Sequence, residues 1–519
     1  MKRFVIIFFC FPFLSFSASP KLLAEEVNLL ITSDLHGWLS SSYLYPNRKP
    51  KGLLHLEPHI LALRQKYPDL LLLDGGDTMQ GSALVTYANR FTPKTNPFFN
   101  KLTKLGYDAI AVGNHDIEEN PTFEKFYGTG DLFLSANLYR DGKNAFKPYK
   151  IIYKQGLKIA ILGLTTAGLP LWLPPEKRQG LKAKDMVSQA KLWVAQIRTL
   201  EKPDLLIALL HSGTNPFRGQ VAAKSKGITP PNQAYKLLQV TKGIDFAVSG
   251  HDHRRIPYKN GPVSFIGSTP FVSAGHHATG LLHVTLFKEN NHWKPKKATW
   301  FDPVTSTKIN SKYQKSLSFG YKQWINQPLP FLLISKDKKL LAECLNQTLS
   351  LATKPKNLDG TLLPQVNIKS FSGFQKKRLT RQAFREFLGY DNSYFAIILS
   401  RRQLQLASQT SLSKQPRGYN QKLYLKLEKN VAWAKSNTLQ SNVFQSQIFL
   451  QAEDFAPKYK VLVGGYHLSG GGGVSGRLFF PDFKAAKKIG TSLQSALISW
   501  MKQKPALPKA CDGQLQVIN

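Results

Sequence analysis

The sequence predicts a layered α/β fold, and three observations support this prediction. Short apolar runs typical of buried strands alternate with amphipathic stretches of helical spacing through the first half of the chain. Every one of these apolar runs ends in polar or glycine-rich residues, which indicates functional loops at the strand ends. Two later runs, at 261–275 and 278–287, look like antiparallel strands, so we expect a mixed sheet.

The predicted elements of the first half follow one another in a regular order. The buried-strand runs lie at 26–34, 69–77, 107–116, 157–166, 203–213 and 244–253. The amphipathic stretches between them, which we predict to be helices, lie at 56–68, 98–106 and 185–202. We assign residues 25–290 to this first domain.

A second unit follows a change in composition. Residues 291–331 are polar and basic and contain one amphipathic stretch, so we predict a linker with a helix there. Residues 332–519 form the predicted second, smaller α/β domain. Its helix candidates are 340–352 and 379–389, and its strand candidates are 394–400 and 459–468.

The first 24 residues have the pattern of a secretory signal. Lys2 and Arg3 precede an apolar run at 4–16, and small residues follow it, with cleavage expected after Ser19 or Ala24. Since no other segment reaches the length of a transmembrane helix, we expect an exported protein, periplasmic or secreted. Cys344 and Cys511 are the cysteines outside the signal, and the sequence leaves open whether they join.

The formal net charge is +38 at pH 7, which favours anionic substrates and surfaces through long-range attraction. The basic residues are scattered along the chain instead of forming one tract with interleaved aromatic residues. We therefore expect no specific nucleic-acid partner, and an anionic envelope surface remains open as a partner. We expect a monomer that acts on a small-molecule phosphoester.

Polar residues that can bind metal ions follow the predicted strands. Carboxylate, imidazole and amide oxygen suit divalent zinc, manganese, iron or cobalt, whereas a thiolate site needs cysteines at metal-binding spacing. Two such ions bind a phosphoryl oxygen and lower the pKa of a bridging water, which is the chemistry of phosphoester hydrolysis. The residues are Asp34, His36, Asp77, Asn114, His115, His211, His251 and His253.

This order of motifs resembles the calcineurin-like metallophosphoesterases. The segments "GGDTMQGS", "LGYDAIAVGNHD", "SANLY", "AILGLTT" and "VSGHDHR" are similar to the secreted 5'-nucleotidase and UDP-sugar hydrolase family over residues 27–290. The resemblance implies a four-layer β-sandwich flanked by helices. It also implies a two-metal hydrolase in which the metals activate a hydroxide.

The resemblance also implies roles for the site residues. Metal one is bound by Asp34, His36 and His253, metal two by Asn114, His211 and His251, and Asp77 bridges both. His115 contacts the phosphoryl group, and a histidine in that role needs a carboxylate on its other nitrogen. Asp116 and Glu118 are both present, and we favour Asp116.

The second domain resembles the nucleoside-binding domain of that family in the order of its motifs. The resemblance places Tyr390 and Tyr466 as the aromatics that stack the base and Asn392 as its polar contact, unless both tyrosines pack in an ordinary core. Two departures weaken nucleoside specificity. The family's Asn-x-Gly-Gly-Ile-Arg is replaced at 367–378, where Lys376, Lys377 or Arg378 supplies charge without the same geometry, and Gly472 replaces an acid.

Three functions follow from these features. The first is an exported two-metal phosphoesterase that acts on nucleotides. The second keeps the metals and acts on a cyclic nucleotide, a nucleotide sugar or a non-nucleotide phosphoester, and the third is a non-catalytic basic protein that binds the envelope. Among the other histidines, we expect His55 and His59 on a helix face or surface, and His276 and His277 are candidates to line the cleft.

Overall fold

A computed structural model describes the first domain almost continuously and the second in part. The described residues include 26–40, 52–119, 130–173, 178–217, 220–225, 227–306 and 317–326, together with Phe123, Tyr127 and separate helices and strands beyond 327. The predicted α/β fold class is confirmed, because helices cover mixed sheets.

The secondary-structure elements follow the predicted order. The strands up to residue 301 are β1 Glu26–Thr32, β2 Leu71–Asp74, β3 Ala109–Ala111, β4 Phe133–Leu134, β5 Leu138–Arg140, β6 Lys143–Asn144, β7 Tyr149–Lys154, β8 Leu157–Thr165, β9 Lys182–Ala183, β10 Leu205–His211, β11 Phe246–Ser249, β12 Arg255–Ile256, β13 Ser264–Ile266, β14 Thr269–Ala274, β15 Leu281–Glu289, β16 His292–Pro295 and β17 Thr299–Phe301. The helices up to residue 326 are α1 Leu53–Lys66, α2 Ala83–Phe91, α3 Pro97–Leu105, α4 Asn114–Glu119, α5 Leu169–Trp172, α6 Met186–Gln196, α7 Gln220–Ser225, α8 Ala234–Val240 and α9 Phe319–Asn326.

Local sequence signals fix the ends of the helices. Asn96 caps α3 by accepting from the backbone N–H of Phe98, and Pro97 occupies the first helical position, where its missing N–H costs little. Gly106 ends α3 in the left-handed conformation, at φ 70°. Asp185 caps α6 in the same way as Asn96 caps α3, by accepting from the N–H of Ser188.

Two large sheets form the centre of the first domain. The first has the order β16-β15-β1-β2-β3-β4, with β17 also paired to β15. The second has the order β12-β14-β11-β10-β8-β7, with β13 paired to β14. Strands β1 to β4 run parallel to one another, as do β8, β10, β11 and β14. Their carboxyl ends therefore lie at one edge of each sheet.

The two sheets pack face to face and are covered by helices on the outside. Leu29 and Ile31 of β1 pack with Ile161 of β8 in the core between the sheets. Leu30 of β1 lies on the outer face of the first sheet and packs against helices α1 to α3. Leu162 of β8 lies on the outer face of the second sheet and packs against α6 and α8. Both faces of the central strands are thus buried, which explains their continuous apolar sequences. The result is the four-layer arrangement.

The first sheet extends beyond the predicted domain boundary at residue 290. Strands β16 and β17 lie within the predicted linker, yet both pair with β15, and Trp293 is buried between the sheets. The polar and basic composition of this segment does not reveal the two strands, because an edge strand keeps one face in solvent and buries only alternate residues. Helix α9 lies where the amphipathic helix of the linker is predicted.

The second domain is described as separate elements. The strands are β18 Pro328–Leu333, β19 Gly360–Pro364, β20 Lys377–Thr380, β21 Tyr394–Leu399, β22 Leu423–Leu427, β23 Tyr459–Gly464, β24 Lys487–Gly490 and β25 Leu515–Val517, and helix α10 spans Leu493–Lys502. They form one sheet of order β20-β18-β25 and one of order β22-β19-β23-β21-β24. A disulfide joins Cys344 to Cys511. Among the described residues, no helix has the length and apolar composition needed to cross a bilayer.

Candidate metal centre

The polar strand ends of both sheets meet at one place. Loops after β1, β2 and β3 of the first sheet and after β11 of the second, together with the last residue of β10, carry the candidate ligands. All five strands present their carboxyl ends at this place, because neighbouring strands in each set are parallel. The structure therefore brings together all seven predicted ligands, which lie more than two hundred positions apart at the extremes.

Tight turns, not extended strands, direct these side chains. Five of the ligands have backbone φ angles in the left-handed region: Asp34 and His36 at 49°, Asp77 at 54°, His251 at 75° and His253 at 59°. The pairs Asp34/His36 and His251/His253 therefore lie in tight turns instead of continuing their strands. Residues other than glycine rarely adopt this conformation, and it concentrates at functional sites.

Asp34, His36 and His253 form the first candidate metal group. The Nε2 atoms of His36 and His253 lie 3.1 Å apart, and His253 Nε2 is 3.5 Å from Asp34 Oδ1. His36 Nδ1 is 3.1 Å from the carbonyl oxygen of Gln80, so Nδ1 donates and Nε2 keeps its lone pair. Asp34 also accepts from the hydroxyl of Ser33 and from the backbone N–H of His251.

Asp77, His211 and His251 form the second candidate group, and Asn114 adjoins it. His211 Nε2 is 3.1 Å from Asp77 Oδ2 and 3.2 Å from Asn114 Oδ1, while its Nδ1 donates to the carbonyl of Gly75 at 2.8 Å. His211 Nε2, Asp77 Oδ2 and Asn114 Oδ1 thus lie close enough together to bind one ion. The bridging role of Asp77 between both groups stays a prediction.

The pKa shifts of the histidines have opposite directions in the two groups. Burial lowers the pKa of His36 to about 3 and holds the pKa of His253 well below its usual range. Burial also opposes the charged form of His211, but Asp77 and Asp34 outweigh it and raise the pKa of His211 to about 10. In the first group the imidazoles of His36 and His253 are therefore neutral and lie beside the buried carboxyl group of Asp34. In the second group the carboxylates stabilise a positive charge on His211.

Both groups fit divalent cations. Zinc binds imidazole nitrogen at 2.0–2.1 Å, so two ligand atoms on one tetrahedral ion lie about 3.3 Å apart. The separations of 3.1 to 3.5 Å in both groups are close to that value. The donor set of carboxylate, imidazole and amide oxygen is also the set that borderline divalent ions prefer. The two groups indicate a dinuclear divalent metal centre, and the donors do not identify the metal.

His115 and Asp116 lie at the start of α4, next to the second group. The backbone N–H of His115 donates to Asp77 Oδ1 at 2.8 Å, and the half-exposed ring of His115 meets the ring of His36 edge-on at 5.3 Å. Asp116 is buried and accepts three backbone N–H bonds, from Thr78, Met79 and Gly113. These contacts favour a structural role for Asp116 as the clamp between two loops, and its role as the orienter of His115 stays a prediction.

A glycine permits the close approach of these loops. A Cβ atom on Gly113 would lie 2.1 Å from Asp77 Oδ1 and 2.3 Å from the Asp77 nitrogen. Any side chain there would push Asp77 out of the second group. The glycine in the "GNHD" motif is thus required by packing, and this is a signal that the ligand chemistry alone does not show.

Other predicted residues have different outcomes. Tyr390, Asn392 and Tyr466 lie outside the described residues, as does the predicted signal segment. His276 and His277 do line the centre, since His276 stacks on His253 and His277 contacts His36. His55 lies on the buried face of α1 and binds the carbonyl of Val304 at 2.8 Å. That hydrogen bond ties α1 to the segment after β17. The helix-face alternative predicted for His55 is therefore confirmed, and its surface alternative is wrong.

Comparison with known proteins identifies the first domain. The family model for calcineurin-like phosphoesterases matches residues 27–255, which include every strand end of the metal centre up to His253. The chain contains a calcineurin-like phosphoesterase domain. The predicted family resemblance is therefore confirmed for this part of the chain.

Two relatives match part of the chain. The chain is 32% identical to the 5'-nucleotidase of Vibrio cholerae over 240 residues, which is 44% of this chain and 41% of that protein. It is 34% identical to protein UshA of Yersinia enterocolitica over 197 residues, 36% of this chain and 34% of the relative. These matches span less than half the length of either relative.

The fold of the whole chain has a solved counterpart. A candidate 5'-nucleotidase from Staphylococcus aureus, solved with alpha-ketoglutarate, superposes with a TM-score of 0.67 at 18% identity. The match covers 95% of this chain and 99% of the Staphylococcus aureus chain. At this identity the likeness concerns the fold alone, and it agrees with a calcineurin-like domain followed by a second domain.

We expect Asp116→Asn to lower the free energy of unfolding by about 1–3 kcal/mol, the usual effect of an unsatisfied buried polar group. The asparagine amide nitrogen is a donor and cannot accept the N–H bonds that one carboxylate oxygen now accepts. Chemical denaturation measures the change, with Asp141→Asn in an exposed turn as the control. Unchanged stability together with slower turnover would show instead that Asp116 acts through His115.

Proposed function

We propose that the protein is an exported two-metal phosphoesterase that hydrolyses nucleotides. The observation that carries this proposal is the pair of adjoining ligand groups at the carboxyl edges of two parallel sheets, inside a calcineurin-like domain. The name of one relative, the 5'-nucleotidase of Vibrio cholerae, supports nucleotides as the substrate class.

The seven ligands would hold two divalent ions. Asp34, His36 and His253 form one set of donors, and His211, His251 and Asn114 form the other, with Asp77 between them as the proposed bridge. When bound, two such ions neutralise phosphoryl oxygens and lower the pKa of a water between them. The donors that lie deepest, Asp34, His36, Asp77 and His211, are almost fully buried, so solvent does not compete with them.

The phosphoester reaches the centre across half-exposed residues. His115, His251 and His253 are each partly exposed, while the other ligands are buried beneath them. The backbone N–H of His115 is tied to Asp77, so its imidazole stays next to the second group without being a member of it. We propose that this imidazole contacts the phosphoryl group and gives a proton to the leaving oxygen.

Two features support export. The predicted signal at 1–24 has the charge and apolar pattern that secretion requires. The disulfide between Cys344 and Cys511 is of a kind that persists in oxidising compartments and is rare in the cytosol. Both cysteines are buried, so the bond is part of the packed interior of the second domain.

A second candidate keeps the metals and changes the substrate. The proposed nucleoside pocket departs from the family at 367–378 and at Gly472, where a charged fork and an acid are replaced. A non-nucleotide phosphoester carries no nucleoside and would need neither group, while a cyclic nucleotide or a nucleotide sugar is the other alternative substrate. The family match ends at residue 255, before the second domain, so it does not decide between these substrates.

We expect the purified protein to release phosphate from an aryl phosphate when manganese, zinc or cobalt is added, and to stop when a chelator removes the metal. Asp77→Asn should lose both bound metal and activity, because it removes a charged donor that contacts His211 at 3.1 Å. Metal analysis and phosphate release measure the two losses, with exposed Asp131→Asn as control. An inactive wild type with every divalent ion would favour the non-catalytic envelope-binding protein.

His115→Asn is expected to keep both metals but to slow turnover by roughly a hundredfold or more, the scale of a lost acid/base group. The backbone N–H that binds Asp77 remains, so the ligand geometry is preserved. Turnover rates and metal content are compared with those of His292→Asn, which changes an exposed histidine on β16. Wild-type turnover in His115→Asn would remove His115 from the mechanism.

A substrate panel tests the nucleotide proposal. We expect nucleoside monophosphates to be hydrolysed with a higher kcat/KM than nucleotide sugars, cyclic nucleotides and sugar phosphates. Tyr390→Ala should then raise KM for a nucleotide by about tenfold, because stacking of a base contributes about 1–3 kcal/mol, and should leave an aryl phosphate unaffected. A preference for another class of phosphoester, with Tyr390→Ala neutral, would establish the second candidate instead.

A further inference from the structure

A second pair of histidines lies against the first metal group. His276 and His277 follow β14, the neighbour in the sheet of the strand that leads to His253. The ring of His276 stacks on the ring of His253, with centroids 4.7 Å apart and planes only 13° apart. The ring of His277 meets the ring of His36 edge-on at 5.3 Å.

The turn that carries these histidines is strained and firmly held. His277 and Ala278 have φ angles of 55° and 49°, a conformation that residues with side chains rarely adopt. The backbone N–H of His277 donates to the carbonyl of Asp34 at 2.8 Å, so the turn is tied directly to a ligand loop. Strain of this kind persists only where surrounding contacts determine the conformation.

Arg255 holds the other side of the turn. Its guanidinium donates to the carbonyl of Thr279 and lies 4.4 Å over the ring of Trp300. The hydroxyl of Thr279 donates to the carbonyl of His276 at 2.8 Å. Gly280 makes this arrangement possible, because a Cβ atom there would lie 2.4 Å from the guanidinium. His276 is therefore placed by a continuous set of contacts that begins two residues after His253.

Outer contacts orient the rings of the histidine ligands. His36 and His211 each point Nδ1 at a backbone carbonyl, of Gln80 and Gly75, which fixes the plane of each ring. His253 is half-exposed and has the flat face of His276 along its own face. The orientation of an imidazole ligand is set by its outer contacts, and their loss weakens metal binding.

We propose that His276 is a positioning residue for the first metal group. Its ring face fixes the plane of His253, so that Nε2 stays 3.1 Å from Nε2 of His36 and 3.5 Å from Asp34 Oδ1. The role needs an aromatic face and does not depend on the protonation of His276. This inference rests on the proposed two-metal function and assigns one of its sites a further residue.

The experiment is a cobalt titration of the metal-free full-length protein, followed by calorimetry and by visible absorption. We expect His276→Ala to weaken binding of one of the two cobalt equivalents by about 10- to 100-fold, the usual effect of a lost outer contact, and to alter the absorption bands of that equivalent. His276→Phe keeps a flat ring and should bind within about threefold of wild type. His292→Ala is the control on an exposed histidine.

The variants separate the possible results. Equal weakening in His276→Phe and His276→Ala would show that a nitrogen of His276 acts, which overturns a role for its ring face. Wild-type binding in His276→Ala overturns the inference while leaving the hydrolase intact. A wild-type protein that binds no cobalt overturns the two-metal function itself, and the inference with it. Thermal unfolding of the metal-free variants shows whether each one is folded.

Discussion

The concentration of lone-pair atoms at one buried place is the constraint on which the first domain depends. Carboxylate and imidazole atoms from both sheets approach within 3.1 to 3.5 Å, where burial strongly disfavours uncompensated charge. Burial raises the pKa of Asp34, and the neighbouring Asp77 raises it further. The negative charges of Asp77 and Asp34 raise the pKa of His211. Divalent cations in the two groups would coordinate these atoms and balance the carboxylate charges. The crowding of buried donor atoms therefore opposes folding and favours metal binding.

The loops around the centre hold the ligands by backbone hydrogen bonds. The N–H of Asp34 donates to the carbonyl of Gly76 at 2.8 Å, and the N–H of His36 donates to the carbonyl of Asp77 at 2.9 Å. These bonds join the loop after β1 to the loop after β2. Asp116 and the turn at His277 add ties from the loops after β3 and β14. The strained left-handed residues are stable because each loop is fixed by its neighbours.

The two domains divide the proposed function between chemistry and selection. The calcineurin-like domain contains all seven candidate metal ligands. In the proposed function the second domain would choose the substrate, and there the sequence departs from the nucleoside-binding pattern at 367–378 and at Gly472. The charge of +38 favours anionic substrates of every class and therefore does not help to choose among them.

The sequence by itself determined the strand and helix order and the chemical identity of the ligands, because buried parallel strands are written as continuous apolar runs and metals demand particular donors. Tertiary structure alone decided that Asp116 clamps two loops, that His55 is buried, and that His276 lies flat on His253. It also decided that the first sheet continues past residue 290. These contacts join segments far apart in the chain, and local sequence signals carry no information about which distant backbone group a side chain will meet.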